Sequence, residues 1–81
     1  MSSRVTLYTK AGSCLCEEAR QEIDKARRQI PFELEVIDIG SDDRLLQQYQ
    51  YDIPVVAING ERAFRYHVPA EELVARLRGL P

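Results

Sequence analysis

Cys14 and Cys16 are the only cysteines of the chain, and both lie in the run Tyr8-Thr9-Lys10-Ala11-Gly12-Ser13-Cys14-Leu15-Cys16. A short apolar alternation, Val5 and Leu7, precedes them, and a long helical pattern follows. Thiols at a strand-to-helix junction point to redox chemistry, because the unpaired N–H groups of a helix start stabilise a thiolate. The usual arrangement there is Cys-x-x-Cys. Here Ser13 stands three places before Cys16, and the available thiol, Cys14, falls one place further on. A serine hydroxyl cannot carry out thiol–disulfide exchange, so the attacking group must be a cysteine. Cys14 precedes the apolar stripe of the helix and is expected to be exposed, as the nucleophile. Cys16 begins that stripe and is expected to be buried, as the resolving thiol. Cys-x-Cys closes into a small ring, and a strained disulfide is more oxidising. Lys10 favours the thiolate form, whereas Glu17 and Glu18 oppose it.

Two other readings fit the same residues. Ser13 can serve as a helix N-cap while both cysteines are small buried apolar groups, which makes a non-catalytic binding module. Cys14, Cys16 and His67 supply three soft ligands where a structural zinc takes four, so no metal site is expected within one chain. A dimer could still share a metal or an iron–sulfur cluster through one thiol per chain. His67 by itself reads as an exposed loop residue, and Tyr8 as either a strand residue or a neighbour of the thiols. Tyr49, Tyr51, Phe32 and Phe64 read as packing residues at element ends.

The elements that must position these thiols can be read from periodicity. Arg4 to Thr9 is a strand by alternation. Cys16, Ala19, Ile23, Ala26 and Ile30 recur at helical spacing and form one stripe. Ser13 is the N-cap of that helix, and Pro31 ends it. Glu33 to Ile39 is a second strand whose nearly continuous apolar end suggests cover on both faces. Ser41 is expected to cap a short helix with Asp42 and Asp43 in its first turn and Leu45, Leu46 and Tyr49 following. Pro54 to Ile58 is a third strand. Asn59-Gly60 is a two-residue hairpin turn that needs positive φ at both positions, with Arg62 to Tyr66 as the partner strand. Pro69 fits the first position of a last helix, Ala70, Leu73, Val74 and Leu77 form its stripe, and Gly79 closes it. The order is β-α-β-α-β-β-α.

Eighty-one residues make one domain, spanning 1–81. Its formal net charge of −2 gives no electrostatic case for nucleic acid, and 30% charged residues are interleaved in sign rather than gathered in a basic run. No apolar run approaches the roughly 20 residues of a membrane span. The start Met-Ser-Ser-Arg-Val has no signal-peptide pattern, so a soluble cytoplasmic protein with reduced thiols is expected. Asp42-Asp43 and Glu71-Glu72 read as helix starts, not as paired catalytic carboxylates.

The element order, Val5-Thr6-Leu7-Tyr8-Thr9-Lys10, Cys16-Glu17-Glu18-Ala19 and Asp52-Ile53-Pro54-Val55-Val56 together resemble the thioredoxin superfamily, and within it the small bacterial glutaredoxin-like proteins. The resemblance spans nearly the whole chain. It implies an α/β, thioredoxin-like fold: a four-stranded mixed sheet in the order 2-1-3-4, with helices on both faces. It implies a cis Ile53–Pro54 bond facing the thiols, with the backbone before Pro54 docking a substrate as an added strand. It places Ser13 at the position of the nucleophilic cysteine and Cys16 at that of the second one. It gives Lys10 the task of meeting a glutathione carboxylate. Such proteins usually carry a Gly-Gly turn and an acidic residue before the last helix, where this chain has Tyr66-His67-Val68-Pro69. The implied function is a thiol–disulfide oxidoreductase with an altered Ser-Cys-Leu-Cys site. Its catalytic residues are Cys14 and Cys16, and its substrate-binding residues are Lys10, Ser13, Ile53 and Pro54. No resident cofactor is expected. Glutathione is a co-substrate candidate, the substrate is a thiol or disulfide on a small molecule or protein, and the chain is expected to be a monomer.

Overall fold

The structure is a computed structural model that describes residues 3–80. Residues 1, 2 and 81 lie outside the described residues, and with them the ends of the expected 1–81 domain and the first two residues of the N-terminal pattern. The elements are β1 (Arg4–Thr9), α1 (Cys14–Gln29), β2 (Glu33–Asp38), a 3-10 turn (Ile39–Ser41), α2 (Asp43–Tyr49), β3 (Val55–Ile58), β4 (Glu61–Arg65) and α3 (Ala70–Arg78). One mixed sheet runs in the order β2-β1-β3-β4. β1 pairs in parallel with β2, from Arg4↔Glu33 to Thr9↔Asp38. It pairs antiparallel with β3, from Val5↔Ile58 to Tyr8↔Val55.

The alternation of β1 decides which helix covers which face. Val5 and Leu7 are buried with Val56 and Ile58 beneath the stripes of α1 (Ala19, Ile23, Ala26) and α3 (Leu73, Val74, Leu77). Tyr8 points the other way, into a smaller cluster of Ile39, Tyr49 and Val55 under α2. The helices therefore lie on both faces of a sheet that each face buries through alternate residues. Asn59 (φ 52°) and Gly60 (φ 88°) turn β3 into β4 with the two positive φ values that such a hairpin requires. The Asn59 side chain also accepts the Arg4 N–H at 2.9 Å and fastens the turn to the start of β1.

Several local expectations differ from the structure. β2 stops at Asp38, lies at the sheet edge and contains no buried residue, so its apolar run is not a sign of double cover. Asp42, not Ser41, caps α2, and its carboxylate accepts the N–H groups of Arg44 and Leu45. Ser41 is drawn into the preceding 3-10 turn, where its hydroxyl donates to the Asp38 carbonyl at 2.7 Å. β4 begins at Glu61 and ends at Arg65. Pro69 is the N-cap of α3 and offers no side-chain bond; Glu22 of α1 supplies it instead, accepting the Ala70 N–H at 3.2 Å. Gly79 ends α3 at φ −79°, a conformation open to any residue. Tyr51 is 82% exposed and packs against nothing in the core.

Candidate functional site

The site is assembled by strand direction. β1 delivers the chain to Lys10–Ser13 at one end of the sheet. Because β3 runs antiparallel to β1, with Tyr8 opposite Val55, the segment before β3 returns to that same end. β4 leaves there as well, since Val55 lies opposite Arg65. Three loops thus meet at one edge: residues 10–13 before α1, residues 50–54 before β3, and residues 66–69 before α3.

Ser13 caps α1. Its Oγ accepts the Cys16 N–H at 3.3 Å, and its carbonyl accepts the Glu17 N–H at 3.2 Å. Cys14 follows as the first residue of the helix, with its thiol exposed. The N–H groups of the first helical residues have no partner within the helix, so positive potential collects where Cys14 sits. Cys16 is 4% exposed and packs inward. Both thiols are free. Residues two apart on a helix are turned about 200° from each other, so the two side chains leave opposite flanks of α1.

A cleft of about 290 Å³ opens between α1 and the β1–β2 side of the sheet. Ser13 and Cys16 line it and Cys14 does not. Lys10 and Arg20 bring positive charge to this cleft, while Glu17 and Asp38 bring equal negative charge. Tyr8 is absent from its lining; it stacks on Tyr49 with ring centroids 4.6 Å apart, under α2. Burial pushes the Tyr8 phenol above its ordinary value, and the neighbouring Tyr49 and Glu35 add to that shift.

The Ile53–Pro54 bond is cis. Pro54 is buried and Ile53 half-buried against the cluster under α2. The Ile53 N–H donates to the Tyr49 carbonyl at 3.1 Å, and its carbonyl accepts no hydrogen bond among the described residues. Of the residues expected at the site, Lys10, Ser13, Cys14, Ile53 and Pro54 gather at this end of the sheet, and Cys16 lies beneath it. His67 is exposed. Among the described residues no three His, Cys, Asp or Glu side chains converge as metal ligands.

Residues 4–78 match the family described as the glutaredoxin-like domain (DUF836). The chain belongs to this family. Among solved structures, protein XcR50 from X. campestris is 26% identical over 95% of this chain and 99% of its own, with a TM-score of 0.80. Protein Ne2328 from Nitrosomonas europaea is 25% identical over 95% of this chain and 93% of its own, with a TM-score of 0.81. Thioredoxin-2 of the malaria parasite, 17% identical over 98% of this chain and 84% of its own, superposes with a TM-score of 0.76 and shows the fold alone.

This glutaredoxin-like domain has a thioredoxin-like fold, and that fold supports a redox role. No helix among the described residues is long and apolar enough to cross a membrane. The contacts that join Tyr66, Asp52 and Arg65 at this end of the sheet are not visible in the sequence. Tyr66 donates its hydroxyl to the Tyr51 carbonyl at 3.1 Å and to Asp52 Oδ1 at 3.3 Å. Arg65 pairs with the same Asp52 carboxylate at 3.6 Å. Asp52-Ile53-Pro54 was a visible motif, but nothing in the sequence tied it to residues more than ten places away.

Proposed function

We propose that the domain catalyses thiol–disulfide exchange with Cys14 as its attacking group. The observation that carries this reading is an exposed thiol on the first residue of α1, at the sheet end where the Ile53–Pro54 segment returns. The Cys14 thiolate attacks one sulfur of a substrate disulfide. A Cys14–substrate mixed disulfide forms, and the other sulfur leaves as a thiolate that takes up a proton. Reduction of the mixed disulfide needs a second thiol. Cys16 could supply it only if the first turn of α1 opened, because its sulfur lies on the opposite flank and is buried. A low-molecular-weight thiol such as glutathione supplies it without that cost. The thiolate of that molecule attacks the substrate-derived sulfur, releases Cys14 as the thiolate and leaves as a new mixed disulfide.

Lys10 stands ready for a carboxylate of such a thiol, and the Ile53 carbonyl for a donated N–H from an extended substrate. A second reading, a binding module without turnover, is favoured by Ser13, whose hydroxyl is engaged as a cap and cannot exchange. The experiment that separates them follows reduction of a glutathione mixed disulfide by the parent, Cys14→Ser and Cys16→Ser. Exchange lost in Cys14→Ser and largely kept in Cys16→Ser supports the single-thiol centre. No exchange above the uncatalysed rate in the parent leaves the binding module.

A further inference from the structure

The turn that leads from β4 towards α3 is built on a tyrosine in a conformation that tyrosine rarely adopts. Tyr66 has a φ of 66°. Across it the His67 N–H donates to the Arg65 carbonyl at 2.8 Å. A three-residue turn closed in this way around a positive φ is the rare, strained γ-turn. The other non-glycine residue with positive φ among the described residues is Asn59, in the hairpin, and asparagine tolerates that region. A bulky aromatic there is an outlier, and it persists only where its surroundings over-determine it.

Those surroundings are the loop ahead of Pro54. The Tyr66 N–H donates to the Pro54 carbonyl at 2.9 Å. Its hydroxyl reaches back to the Tyr51 carbonyl and Asp52 Oδ1. Arg65 completes the cluster, pairing with Asp52 while its guanidinium lies over the Tyr66 ring, 5.4 Å from the centroid. On its other side the loop is held by α2, through the N–H groups of Asp52 and Ile53 on the Tyr49 carbonyl at 2.8 and 3.1 Å. The Tyr51 side chain is 82% exposed and gives the loop no anchor in the core. Ile53 packs against the cluster under α2 and Pro54 is buried, but residues 51 and 52 are placed by polar bonds, and the side-chain part of that set comes from Tyr66, Asp52 and Arg65. A glycine would adopt the same turn without strain, yet it would bring neither the hydroxyl nor the ring.

We propose that Tyr66 is a positioning residue for substrate docking: it holds the 51–54 loop so that the open Ile53 carbonyl meets an extended substrate at the Cys14 edge. This rests on the exchange function proposed above. The tyrosine stays in its strained turn because the loop bonds require its hydroxyl. Substrate then meets an ordered edge and does not have to order it, which is where such pre-organisation enters affinity.

The test uses the glutathione mixed disulfide of a cysteine peptide as substrate, with the parent, Tyr66→Phe and Tyr66→Gly. Tyr66→Phe keeps the ring and removes only the hydroxyl; Tyr66→Gly fits the turn and so folds. Tyr66→Phe is expected to raise KM about 2- to 13-fold, the span of one ordinary hydrogen bond, with kcat within about two-fold of the parent. Tyr66→Gly should raise KM at least as far. Alkylation of Cys14 by iodoacetamide should proceed at the parent rate in both, since the nucleophile is untouched. Parent-like KM in both variants overturns the proposal while leaving the exchange function standing. A fall in kcat and in Cys14 alkylation also overturns it, because Tyr66 would then be supporting the thiol or the fold. A parent that turns over no mixed disulfide removes the exchange function and this role together.

Discussion

Moving the leading thiol back by one residue tests the site most directly. In the double variant Ser13→Cys/Cys14→Ser, the new thiol takes the N-cap position and stands three residues before Cys16. In the parent, the Ser13 oxygen at that position accepts the Cys16 N–H at 3.3 Å. A thiolate in its place accepts the same N–H as a charged acceptor. Hydrogen bonds to charged groups contribute about 1 kcal/mol more than neutral ones, which multiplies the thiolate population about five-fold. Nucleophilicity falls as thiolate basicity falls, with a Brønsted slope of about 0.4–0.5, so the net gain in attack is roughly two-fold. The larger change lies in resolution. Residues three apart share a helix face, so the new thiol and Cys16 can close a disulfide without unwinding α1. As a neutral thiol the new residue is a poorer cap than serine, and below its titration range the variant loses up to about 1 kcal/mol, or roughly 4–8 °C in Tm for a domain of this size. Iodoacetamide alkylation reads the first effect, and mass spectrometry after incubation with glutathione disulfide reads the second. The variant should close an internal disulfide, whereas the parent should carry a glutathione adduct on Cys14. A parent that closes Cys14 to Cys16 as readily as the variant closes its pair would refute the reasoning, because the first turn of α1 would then be opening freely.

Three further outcomes follow from the structure. Ile23, on the inner face of α1, is fully buried, so Ile23→Ala should lower the unfolding free energy in urea by about 2–5 kcal/mol, whereas exposed Arg27, 5.8 Å from the Phe32 ring centroid, should cost no more than about 1 kcal/mol on truncation to Ala. Comparable losses would show that the helix face is misplaced. The hydrogen bond from Lys25, and next that from the Ala70 N–H, hold the Glu22 carboxyl below its ordinary value. A depressed folded value means that its stabilisation is complete above the unfolded carboxylate range and is lost as pH falls through the lower, folded value. Parent and Glu22→Gln should therefore differ in Tm at neutral pH and converge in acid; a gap that widens in acid would reverse the assigned sign. Lys10→Ala should raise KM for a glutathione mixed disulfide more than for a mixed disulfide with an uncharged thiol, in a steady-state comparison; equal effects would remove Lys10 from carboxylate recognition.

Much of the frame was legible because it follows from local rules. The stripes of α1 and α3 repeat at helical spacing, and each of Ala19, Ile23, Ala26, Leu73, Val74 and Leu77 is buried. Asn59-Gly60 specified its turn by backbone tolerance alone. Ser13 was legible as a cap because the bond it makes spans only three residues. The misreadings share a different cause. Ser41 and Asp42 are both good caps, and neighbouring residues compete for one helix start. The choice fell to Asp42 because Asp38 drew the preceding residues into their own turn, accepting the Gly40 N–H at 2.8 Å and the Ser41 hydroxyl. The α3 cap comes from Glu22, 48 residues away, and the Tyr66 bonds reach 14 and 15 residues back. No periodicity encodes such a pairing, because it exists only once the sheet has brought the loops together.

The register of the thiols ties these local and distant facts to one chemical consequence. With serine at the N-cap, α1 starts on an oxygen that accepts the Cys16 N–H, and the available thiol is displaced one residue along the helix. That shift turns the thiol by about 100° around the axis and leaves Cys16 two residues away instead of three. Two thiols at that separation face opposite flanks, one in solvent and one beneath the helix. A self-resolving pair at that separation would need the first turn of α1 to open, whereas attack by the exposed thiol needs no such change. In the exchange function proposed above, Cys14 then draws its second thiol from outside the chain. The groups proposed to select that molecule are Lys10, exposed at the cleft, and the Ile53 edge that Tyr66, Asp52 and Arg65 fasten in place.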